Sequence, residues 1–414
     1  MTILATDLMK DVLGLEEPWK VVKVLSNTES GDHAIHVTLA IPPLSKIPCP
    51  TCGRACNCYD HSEERTWRNT DVGSVLMFLH ARIPRVQCES CHKTQNAEVP
   101  WARPGSRYTL VFETFILALA MEEPMSTVAK QARVNYRMVA KVVRRYAEQI
   151  RSHADLSSVT RVGVDERSVF KGHTYITIFV NLDNNKLIFA TAGKDINTLA
   201  EFAEYLRKHN SNPRRITEFS CDFGQAFISG IRKYFRKASI VGDRFHLAKM
   251  ANEALADVKF STKGLEISHQ RAKYILARKS SDLRGKQKQW AQEILEANPN
   301  TALAYRLRDS LMEVYLMGDR ETAKLHLQSW VTATEFSRLG PFKRLSRTVR
   351  NHFEMILNWY NRSTTNASLE GTNNLLNKVK SRCYGFHKVE SFIDMAYLVA
   401  SNSRIDLYGK PRMS

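Results

Sequence analysis

No apolar run in the 414-residue sequence is long enough to cross a bilayer. The most apolar stretch, residues 108–121, is shorter than the roughly 20 residues that a spanning helix needs, and it carries Glu113 in its middle. We therefore predict a buried helix there. Acidic residues between positions 7 and 17 interrupt the only region where the apolar core of a secretory signal could lie. We expect a cytoplasmic protein.

Acidic residues are outnumbered, with 42 Asp and Glu against 60 Lys and Arg, which gives a formal net charge of +18 and an isoelectric point near 9.6. Such a charge attracts polyanions, so nucleic acid is the first partner to consider, although ribosome-associated and membrane-surface proteins share this balance. Internal repeats and low-complexity tracts are also absent. A chain of this length exceeds one ordinary core, so we expect several folded units.

Cysteine is nearly confined to one region, since six of the eight cysteines lie between positions 49 and 91. Two pairs there have two residues between their thiols, a spacing that lets both sulfurs reach one tetrahedral zinc ion. The predicted structural zinc ligands are Cys49, Cys52, Cys88 and Cys91. Two alternatives stay open: a disulfide pairing, which a reducing cytosol disfavours, or the replacement of one ligand by Cys56 or Cys58.

A β-rich module surrounds these cysteines. Between the two pairs, Trp67 and the strand pattern at 74–80 predict an inserted hairpin. Residues 18–43 alternate apolar and polar side chains, as the edge of a short sheet does, and we expect them to pack on that hairpin.

From residue 108 onward, apolar residues recur at the spacing of one face of an α-helix, and Glu123-Pro124 ends this first predicted helix. Two helices with a tight turn follow over 125–134 and 135–146, with Ser126 and Asn135 as predicted N-caps, a pattern typical of a helix-turn-helix. One face of the second helix is basic and suits the major groove of DNA. The predicted DNA-binding residues are Arg137, Lys141, Arg144 and Arg145. A solvated basic helix in an unrelated bundle is the alternative.

Residues 161–243 predict an α/β unit in which three strands precede a helix, a strand, a helix and a last strand. A ribonuclease-H-like domain shows this order. Residues 247–360 read as helical throughout, which indicates an insertion. Its basic segment, 271–288, either contacts DNA or is solvated.

Three acidic residues stand where a phosphodiester-cutting site needs them. Two divalent metals can activate the nucleophile and stabilise the leaving oxygen, and such hard cations bind carboxylates. Asp165 and Asp222 each end a predicted buried strand, and Glu370 lies on a predicted helix with Asn373, Asn374 and Asn377 beside it. Each acid alone is weak evidence, because an aspartate at a strand end is more often a cap or turn residue.

At this point the sequence resembles the DDE transposases of the ISL3 group of insertion sequences, over essentially its whole length. The motifs that carry the resemblance are Cys-Pro-Thr-Cys-Gly at 49–53, Asp-His at 60–61, Arg-Thr-Trp-Arg at 65–68, the second cysteine pair, Gly-Val-Asp-Glu at 163–166, Gly-Asp-Arg-Phe-His at 242–246, Leu-Glu-Gly-Thr-Asn-Asn at 369–374 and Tyr-Gly-Phe at 384–386.

The resemblance implies a catalytic core in which Asp165, Asp222 and Glu370 hold magnesium or manganese. Asp243 is the alternative second acid, although we prefer Asp222. Related transposases have a Cys/Asp-x-x-His pair after the second acid, which Asp243 and His246 match. The predicted active-site supporting residues are Asp243, His246 and Asn374. A histidine that merely caps the following helix is an equal alternative for His246.

The predicted fold is a multidomain α/β chain. Its parts are an N-terminal zinc-finger domain (1–105), a helix-turn-helix domain (106–155), the first part of a ribonuclease-H-like mixed-sheet core (156–246), an all-helical insertion (247–360) and the second part of the core with the glutamate helix (361–414).

The predicted function is binding of double-stranded DNA at the terminal inverted repeats of an element, followed by metal-dependent cleavage and strand transfer into target DNA. Because two ends must be joined, we expect a homodimer or larger assembly on DNA. A catalytically inactive regulator derived from a transposase is the alternative. A serine or tyrosine recombinase fits less well, because no serine or tyrosine stands among convergent arginines in a recognisable pattern.

Overall fold

The computed structural model describes residues 5–27, 33–170, 174–278, 280–361, 367–383, 386, 388–401, 404–405 and 411–412; at 27, 367–370, 404–405 and 411–412 it describes the backbone only. Lys279 of the basic segment and Tyr384 and Gly385 of the last motif lie outside these residues. Two units are distinguished, 1–149 with 403–414, and 150–402. The boundaries of the five predicted domains stay predictions.

The first unit begins with a helix and continues through a β-rich region into three helices. Its elements in chain order are α1 (Ala5–Leu13), β1 (Lys20–Asn27), β2 (Ala34–Ala40), β3 (Ile47–Pro48), β4 (Ala55–Cys56), β5 (Cys58–Val72), β6 (Val75–Cys88), β7 (Lys93–Asn96), α2 (Leu110–Glu122), α3 (Met125–Gln131) and α4 (Tyr136–Ser152), with the short pair β13 (Arg404–Ile405) and β14 (Pro411–Arg412) near the C-terminus.

The long β5–β6 hairpin confirms the insertion predicted between the two cysteine pairs. Strand order is β1-β2-β6-β5, with β7 also paired to β6, and β2 runs parallel to β6. Strand β2, which belongs to the segment predicted to pack on the hairpin, therefore does so by pairing with β6. Trp67 is fully buried and meets the ring of Trp101 edge to face at 5.5 Å, while Trp101 meets Trp19 at 4.7 Å. This aromatic group fills the core above the sheet.

The three helices after the sheet confirm the predicted helix pair and its preceding helix. Asn135 caps α4 as predicted, because its Oδ1 accepts a hydrogen bond from Met138 N at 2.9 Å. Ser126 as the cap of α3 was wrong, since Pro124 occupies that position and Ser126 already lies in the first turn. Proline suits this place, because the first helical turn leaves backbone N–H groups without intrahelical acceptors.

The second unit joins a mixed sheet to a long series of helices. Its elements in chain order are β8 (Arg161–Phe170), β9 (Thr174–Asn181), β10 (Lys186–Ala192), α5 (Ile196–Lys208), β11 (Glu218–Cys221), α6 (Gln225–Tyr234), β12 (Ser239–Gly242), α7 (Arg244–Ala256), α8 (His269–Leu276), α9 (Gly285–Ala297), α10 (Pro299–Glu313), α11 (Arg320–Phe336), α12 (Gly340–Asn351), α13 (Phe353–Leu357), α14 (Ala367–Arg382) and α15 (Val389–Ala400).

The sheet has the order β10-β9-β8-β11-β12, antiparallel from β10 to β8 and parallel from β8 to β12. This confirms the predicted ribonuclease-H-like arrangement. On the sheet, Phe202 of α5 stacks on Phe179 at 4.3 Å. On α15, the Tyr397 hydroxyl accepts a hydrogen bond from Ala190 N at 3.1 Å. One predicted detail was wrong: β8 continues for five residues beyond Asp165, so this aspartate lies within the strand.

Helices α7 to α13 form the all-helical insertion that the sequence predicts. Buried side chains such as Leu311, Leu327 and Phe342 share one core there. In the basic segment, Arg271 and Lys286 both lie over the ring of Trp290, at 4.5 and 5.2 Å. Within the described residues, no helix combines the length and the apolar character that spanning a bilayer requires.

Candidate active site and zinc centre

The two cysteine pairs meet in a single cluster. The four sulfurs of Cys49, Cys52, Cys88 and Cys91 lie within 4.8 Å of one another, with 4.0 Å between Cys49 and Cys91 and 3.6 Å between Cys52 and Cys88. Thiolates bound at about 2.3 Å to one tetrahedral ion are about 3.8 Å apart. Disulfide sulfurs would be about 2.05 Å apart, so the cluster has the dimensions of a structural zinc site and not of a disulfide.

Each cysteine pair forms the same kind of turn. Gly53, directly after Cys52, has a φ of 73°, and His92, directly after Cys91, has a φ of 52°. In the first turn Gly53 N donates to Cys49 O at 2.8 Å. A residue in the left-handed region lets the chain fold back so that backbone N–H groups point at the sulfurs, and glycine does this without strain.

These backbone groups favour thiolates. The backbone N–H of Cys91 lowers the pKa of the Cys88 thiol to about 6. The pKa of Cys91 is raised to about 12, first because its thiol is hydrogen-bonded with the Cys52 sulfur. A neighbouring cation would remove this competition for protons, because metal binding releases them from the ligand thiols.

Cys56 and Cys58 are not members of the four-cysteine cluster of the described residues, although burial and the neighbouring Cys88 sulfur raise the pKa of the Cys56 thiol. The thiol of Cys56 is buried and lies 3.4 Å from Arg54 O, while Cys58 is exposed and its sulfur lies 3.2 Å from Asp60 O. In the part of the chain that the structure describes, the metal-binding group of cysteines includes neither of them. The alternative in which one of them replaces a ligand therefore finds no support.

The predicted DNA-binding residues of α4 have different surroundings. Arg137 and Lys141 are exposed. Arg144 is also exposed and pairs with Glu148 one turn on, at 2.8 Å. Arg145 is half-buried, and its Nη1 lies 2.5 Å from Glu113 Oε1. The first three side chains lie at the surface, whereas Arg145 is engaged inside the protein; their role in DNA binding stays a prediction.

Glu113 of α2 is almost fully buried and its carboxylate has several donors. Besides Arg145, Arg103 Nε lies 3.1 Å away and Ser106 Oγ donates to it at 3.2 Å. A buried carboxylate needs such partners, because an unpaired charge in the interior is costly. The network ties α4 to α2 and to the segment that follows the zinc module.

In the second unit, the parallel strands bring three aspartates to one edge of the sheet. The register pairs Gly163 of β8 with Ser220 of β11, so Asp165 and Asp222 stand two residues further along adjacent strands. The register also pairs Cys221 with Gly242 of β12, so Asp222 and Asp243 each come next. Neighbouring strands lie about 4.8 Å apart. Asp165, Asp222 and Asp243 therefore form a row across three strands.

Asp165 is held by a bridge from α14. Asn373 Nδ2 donates to Asp165 Oδ2 at 2.7 Å, and Asn373 Oδ1 accepts from Arg167 Nε at 2.7 Å. Arg167 Nη2 also lies 3.7 Å from the same carboxylate oxygen. Burial raises the pKa of Asp165, while Arg167 and Asn373 oppose this. The site thus holds a carboxylate that would gain from a cation.

Asp222 and Asp243 are each fixed by the backbone that follows. Gly224 N donates to Asp222 Oδ1 at 2.9 Å, and a Cβ on this glycine would lie 2.9 Å from that oxygen, so no larger residue permits the approach. Phe245 N donates to Asp243 Oδ1 at 2.9 Å, which makes Asp243 the cap of α7. Asp222 thus lies two residues before Gly224, the N-cap residue of α6, whereas Asp243 is itself the N-cap of α7.

His246 is oriented by Asp243, as its Nδ1 lies 2.8 Å from Asp243 Oδ2. This hydrogen bond raises the pKa of His246, and the charges of Asp165 and Asp222 raise it further. A cationic imidazole at this edge could meet a phosphate oxygen. The position next to the row of aspartates supports the active-site interpretation of His246, although the cap of α7 is Asp243.

Glu370 belongs to α14, but its side chain lies outside the described residues. Its position on the helix is one turn before Asn373, which touches Asp165, and residues three apart share a helix face. Asn374 is exposed.

The sequence alone placed Asn373 and Asn374 beside Glu370, and we named Asn374 as the supporting residue. The helical pattern does not show which of these two neighbours faces the site. Arg167 was missed, although its position two residues after Asp165 on one strand was a usable signal.

Three family models match successive parts of the chain. The family model of the ISL3-type DDE proteins, described as "Transposase", matches residues 162–396. The model described as "Helix-turn-helix domain of transposase family ISL3" matches 97–147, and the one described as "zinc-finger of transposase IS204/IS1001/IS1096/IS1165" matches 45–91.

Two relatives are similar along most of their length. The transposase for insertion sequence element IS1557 of Mycobacterium tuberculosis (strain H37Rv) is 25% identical, with 97% of each chain covered. The transposase for insertion sequence element IS1001 of Bordetella parapertussis is 22% identical, with 86% of this chain and 89% of the relative covered.

Proposed function

Because the chain belongs to the ISL3 family of transposases, we propose that it binds the terminal inverted repeats of an insertion sequence, cuts DNA there and joins the ends to target DNA. The observation that carries the proposal is the row formed by Asp165, Asp222 and Asp243, with Asn373 of α14 bridged to the first of them. Acidic side chains in such a row suit phosphodiester chemistry, which needs cations against a charged phosphate.

The residues present fit a divalent metal. Asp165 is a mostly buried carboxylate whose pKa is raised by burial, so a cation beside it would offset a real cost. Asp222 and Glu370 are the further proposed ligands, all of them hard oxygen donors of the kind that Mg²⁺ or Mn²⁺ prefers. The metal would supply activation of the attacking oxygen and stabilisation of the leaving oxygen.

The protein's own side chains prepare the site for this role. Asn373 sets the direction of the Asp165 carboxylate, because both ends of its amide are hydrogen-bonded. Arg167 keeps Asn373 in that orientation and supplies a positive charge near Asp165. Asp243 holds His246 by Nδ1 and favours its cationic form, which would bind a phosphate oxygen of the DNA backbone.

Recognition of double-stranded DNA is proposed for the first unit. The basic face of α4 offers Arg137 and Lys141, both exposed, to a major groove, while the zinc centre stiffens the module that precedes the helices. Two element ends have to be brought together, so a dimer or larger assembly on DNA is expected. Since DNA is the proposed partner, we propose that the protein acts in the bacterial cytoplasm, at the nucleoid.

The test is a matched pair of Asp→Asn variants. Asp165→Asn should abolish cleavage of a DNA duplex that carries the element end, in magnesium or manganese, while end binding in a mobility-shift assay is retained. Asp183→Asn is the control, because Asp183 is exposed and its ion pair, at 3.2 Å, is with Arg161 at the start of β8 and not with a residue of the aspartate row. Cleavage by Asp165→Asn at the wild-type rate would refute the catalytic assignment.

The wild-type chain itself separates the two candidate functions. A protein that binds the element ends but never cuts them, with either metal, would be the inactive regulator and not the enzyme. Covalent attachment of the DNA to the protein would instead indicate a serine or tyrosine recombinase.

A second pair of variants tests the positioning of Asp165. Asn373→Ala should lower the cleavage rate strongly and raise the magnesium concentration needed for half-maximal rate, because the carboxylate loses its fixed direction. Asn374→Ala changes the next, exposed residue of the same helix and should leave both quantities near the wild-type values. Equal effects of the two variants would contradict the bridge.

A further inference from the structure

Helix α12 carries a row of basic side chains on its solvent face. The helix, Gly340–Asn351, has no acidic residue. Its apolar face is buried in the protein, and its basic residues lie on the opposite face. The exposed basic residues are Lys343, Arg344, Arg347 and Arg350. We call these four residues the α12 basic row.

The α12 basic row is weakly engaged by the protein itself. Arg344 pairs with Asp257 at 3.3 Å, and Arg350 pairs with Glu335; all four side chains in these pairs are about half exposed or more. Exposed pairs of this kind contribute about 0–1 kcal/mol, so they exchange readily for other anions. In the described part of the chain, Lys343 and Arg347 have no ion-pair partner.

The row ends beside the candidate active site. His352 directly follows α12, and its ring lies 5.4 Å from the ring of Phe223, the residue after Asp222. Next in the chain, α13 places Met355 in the core of the sheet, and Asn358 Nδ2 donates to Ile240 O of β12 at 2.9 Å. The C-terminal end of α12 is thus fixed to the strands that carry the row of aspartates.

From this anchored end the basic row extends back along α12. Lys343, Arg347 and Arg350 are spaced i, i+4 and i+7, so they form one stripe along the helix. The stripe rises about 10 Å from Arg350 back to Lys343, at 1.5 Å per residue. A chain of phosphates that follows α12 would meet one positive charge after another along this stripe.

We propose that the α12 basic row binds the phosphate backbone of the DNA that runs into the aspartate row, as a second DNA contact besides α4. The inference rests on the proposed function for its substrate, which is duplex DNA. It explains why a helix of the insertion carries four exposed positive charges and no acidic residue of its own, close to an acidic site that must receive a polyanion. Contacts to phosphates carry no sequence preference, so a duplex of arbitrary sequence can be used to test it.

The variant Lys343→Gln/Arg347→Gln removes the two unpaired charges and retains the helix, because glutamine is a good helix former. The matched control is Arg236→Gln/Lys237→Gln, which removes two exposed charges just before β12, at the opposite end of that strand from Asp243. Both variants should keep the wild-type thermal midpoint, which shows that neither has lost its fold.

The measurement is the salt dependence of binding of the full-length chain to a fluorescein-labelled duplex, by anisotropy in buffer without magnesium so that the DNA stays intact. Each phosphate contact contributes about 0.9 to the slope of log K against log salt. The α12 variant should therefore lose about 1.8 of slope and roughly tenfold to a hundredfold in affinity near 0.1 M salt. The control should bind as the wild type does.

A second readout reports on the residue itself. DNA should protect Lys343 from acetylation, measured by mass spectrometry, while Lys237 stays as reactive as in the free protein. An unchanged slope in the α12 variant together with an unprotected Lys343 overturns the proposal. If such a variant still cuts element ends normally, the proposed function stands without this surface; if the slope falls as expected but the wild type never cuts DNA, the proposed function fails and the DNA surface remains.

Discussion

Glu113→Gln is the substitution for which the structure gives the clearest magnitude. The Glu113 carboxylate is 1% exposed and faces Arg103 at 3.1 Å and Arg145 at 2.5 Å, on two different segments. Glutamine has nearly the same shape but no charge. The substitution therefore leaves two guanidinium groups facing a neutral amide at a largely buried place.

The cost follows from how far those arginines can rehydrate. Removing one partner of a buried ion pair costs about 3–5 kcal/mol. Because the side chains of Arg103 and Arg145 keep 22% and 28% of their exposure, part of the lost interaction is replaced by water. We expect a loss of about 2–4 kcal/mol, which lowers the midpoint of the first unit by about 5–15 °C. Binding of DNA by α4 should weaken too, because Arg145 fixes that helix.

The assay is thermal unfolding of the zinc-loaded full chain, followed by near-ultraviolet circular dichroism, with mobility shifts for DNA binding. Glu148→Gln is the control, since Glu148 forms an exposed i, i+4 pair with Arg144 at 2.8 Å. Such a pair contributes at most about 0.5 kcal/mol, so the thermal midpoint of the Glu148→Gln protein should differ from that of the wild type by less than about 2 °C. A Glu113→Gln protein no less stable than this control would refute the argument from burial.

Cys88→Ser should lower the zinc content from about one ion per chain and unfold the first module, measured by metal analysis and circular dichroism, while Cys58→Ser, outside the cluster, should retain zinc. Gly230→Ala would place a Cβ 2.8 Å from a leucine carbon and should cost about 1–3 kcal/mol in urea unfolding, unlike Gly318→Ala, which meets nothing within 4 Å. His246→Gln should lower the free energy of unfolding most below about pH 6.5, and its difference from the wild type should shrink as pH rises through the raised pKa of His246. The measurement is urea unfolding without magnesium over a range of pH. A difference that does not change with pH would show that the charge of the hydrogen-bonded His246 does not stabilise the fold.

Local spacing was enough to predict much of the chain. The spacing of two residues between the thiols of each cysteine pair predicts that both sulfurs can bind one metal ion, because so short a chain allows few other arrangements. The alternation of apolar residues likewise predicted β9, β10 and the long hairpin, and the helical period predicted α2, α4 and the insertion. Each of these depends on side chains a few positions apart.

The tertiary structure decided which distant side chains meet. The sequence placed Asn373 and Asn374 equally near Glu370, and only the docking of α14 on β8 sets Asn373 against Asp165, 208 positions away. It also placed Arg145 on the DNA-facing side, whereas packing of α4 on α2 pairs it with Glu113. Which side chains pair depends on which faces of the helices and strands become buried against one another. An unpaired charge is costly only where packing buries it, so local sequence does not identify its partner. Local spacing determines what each segment can become, and packing determines what each charge touches.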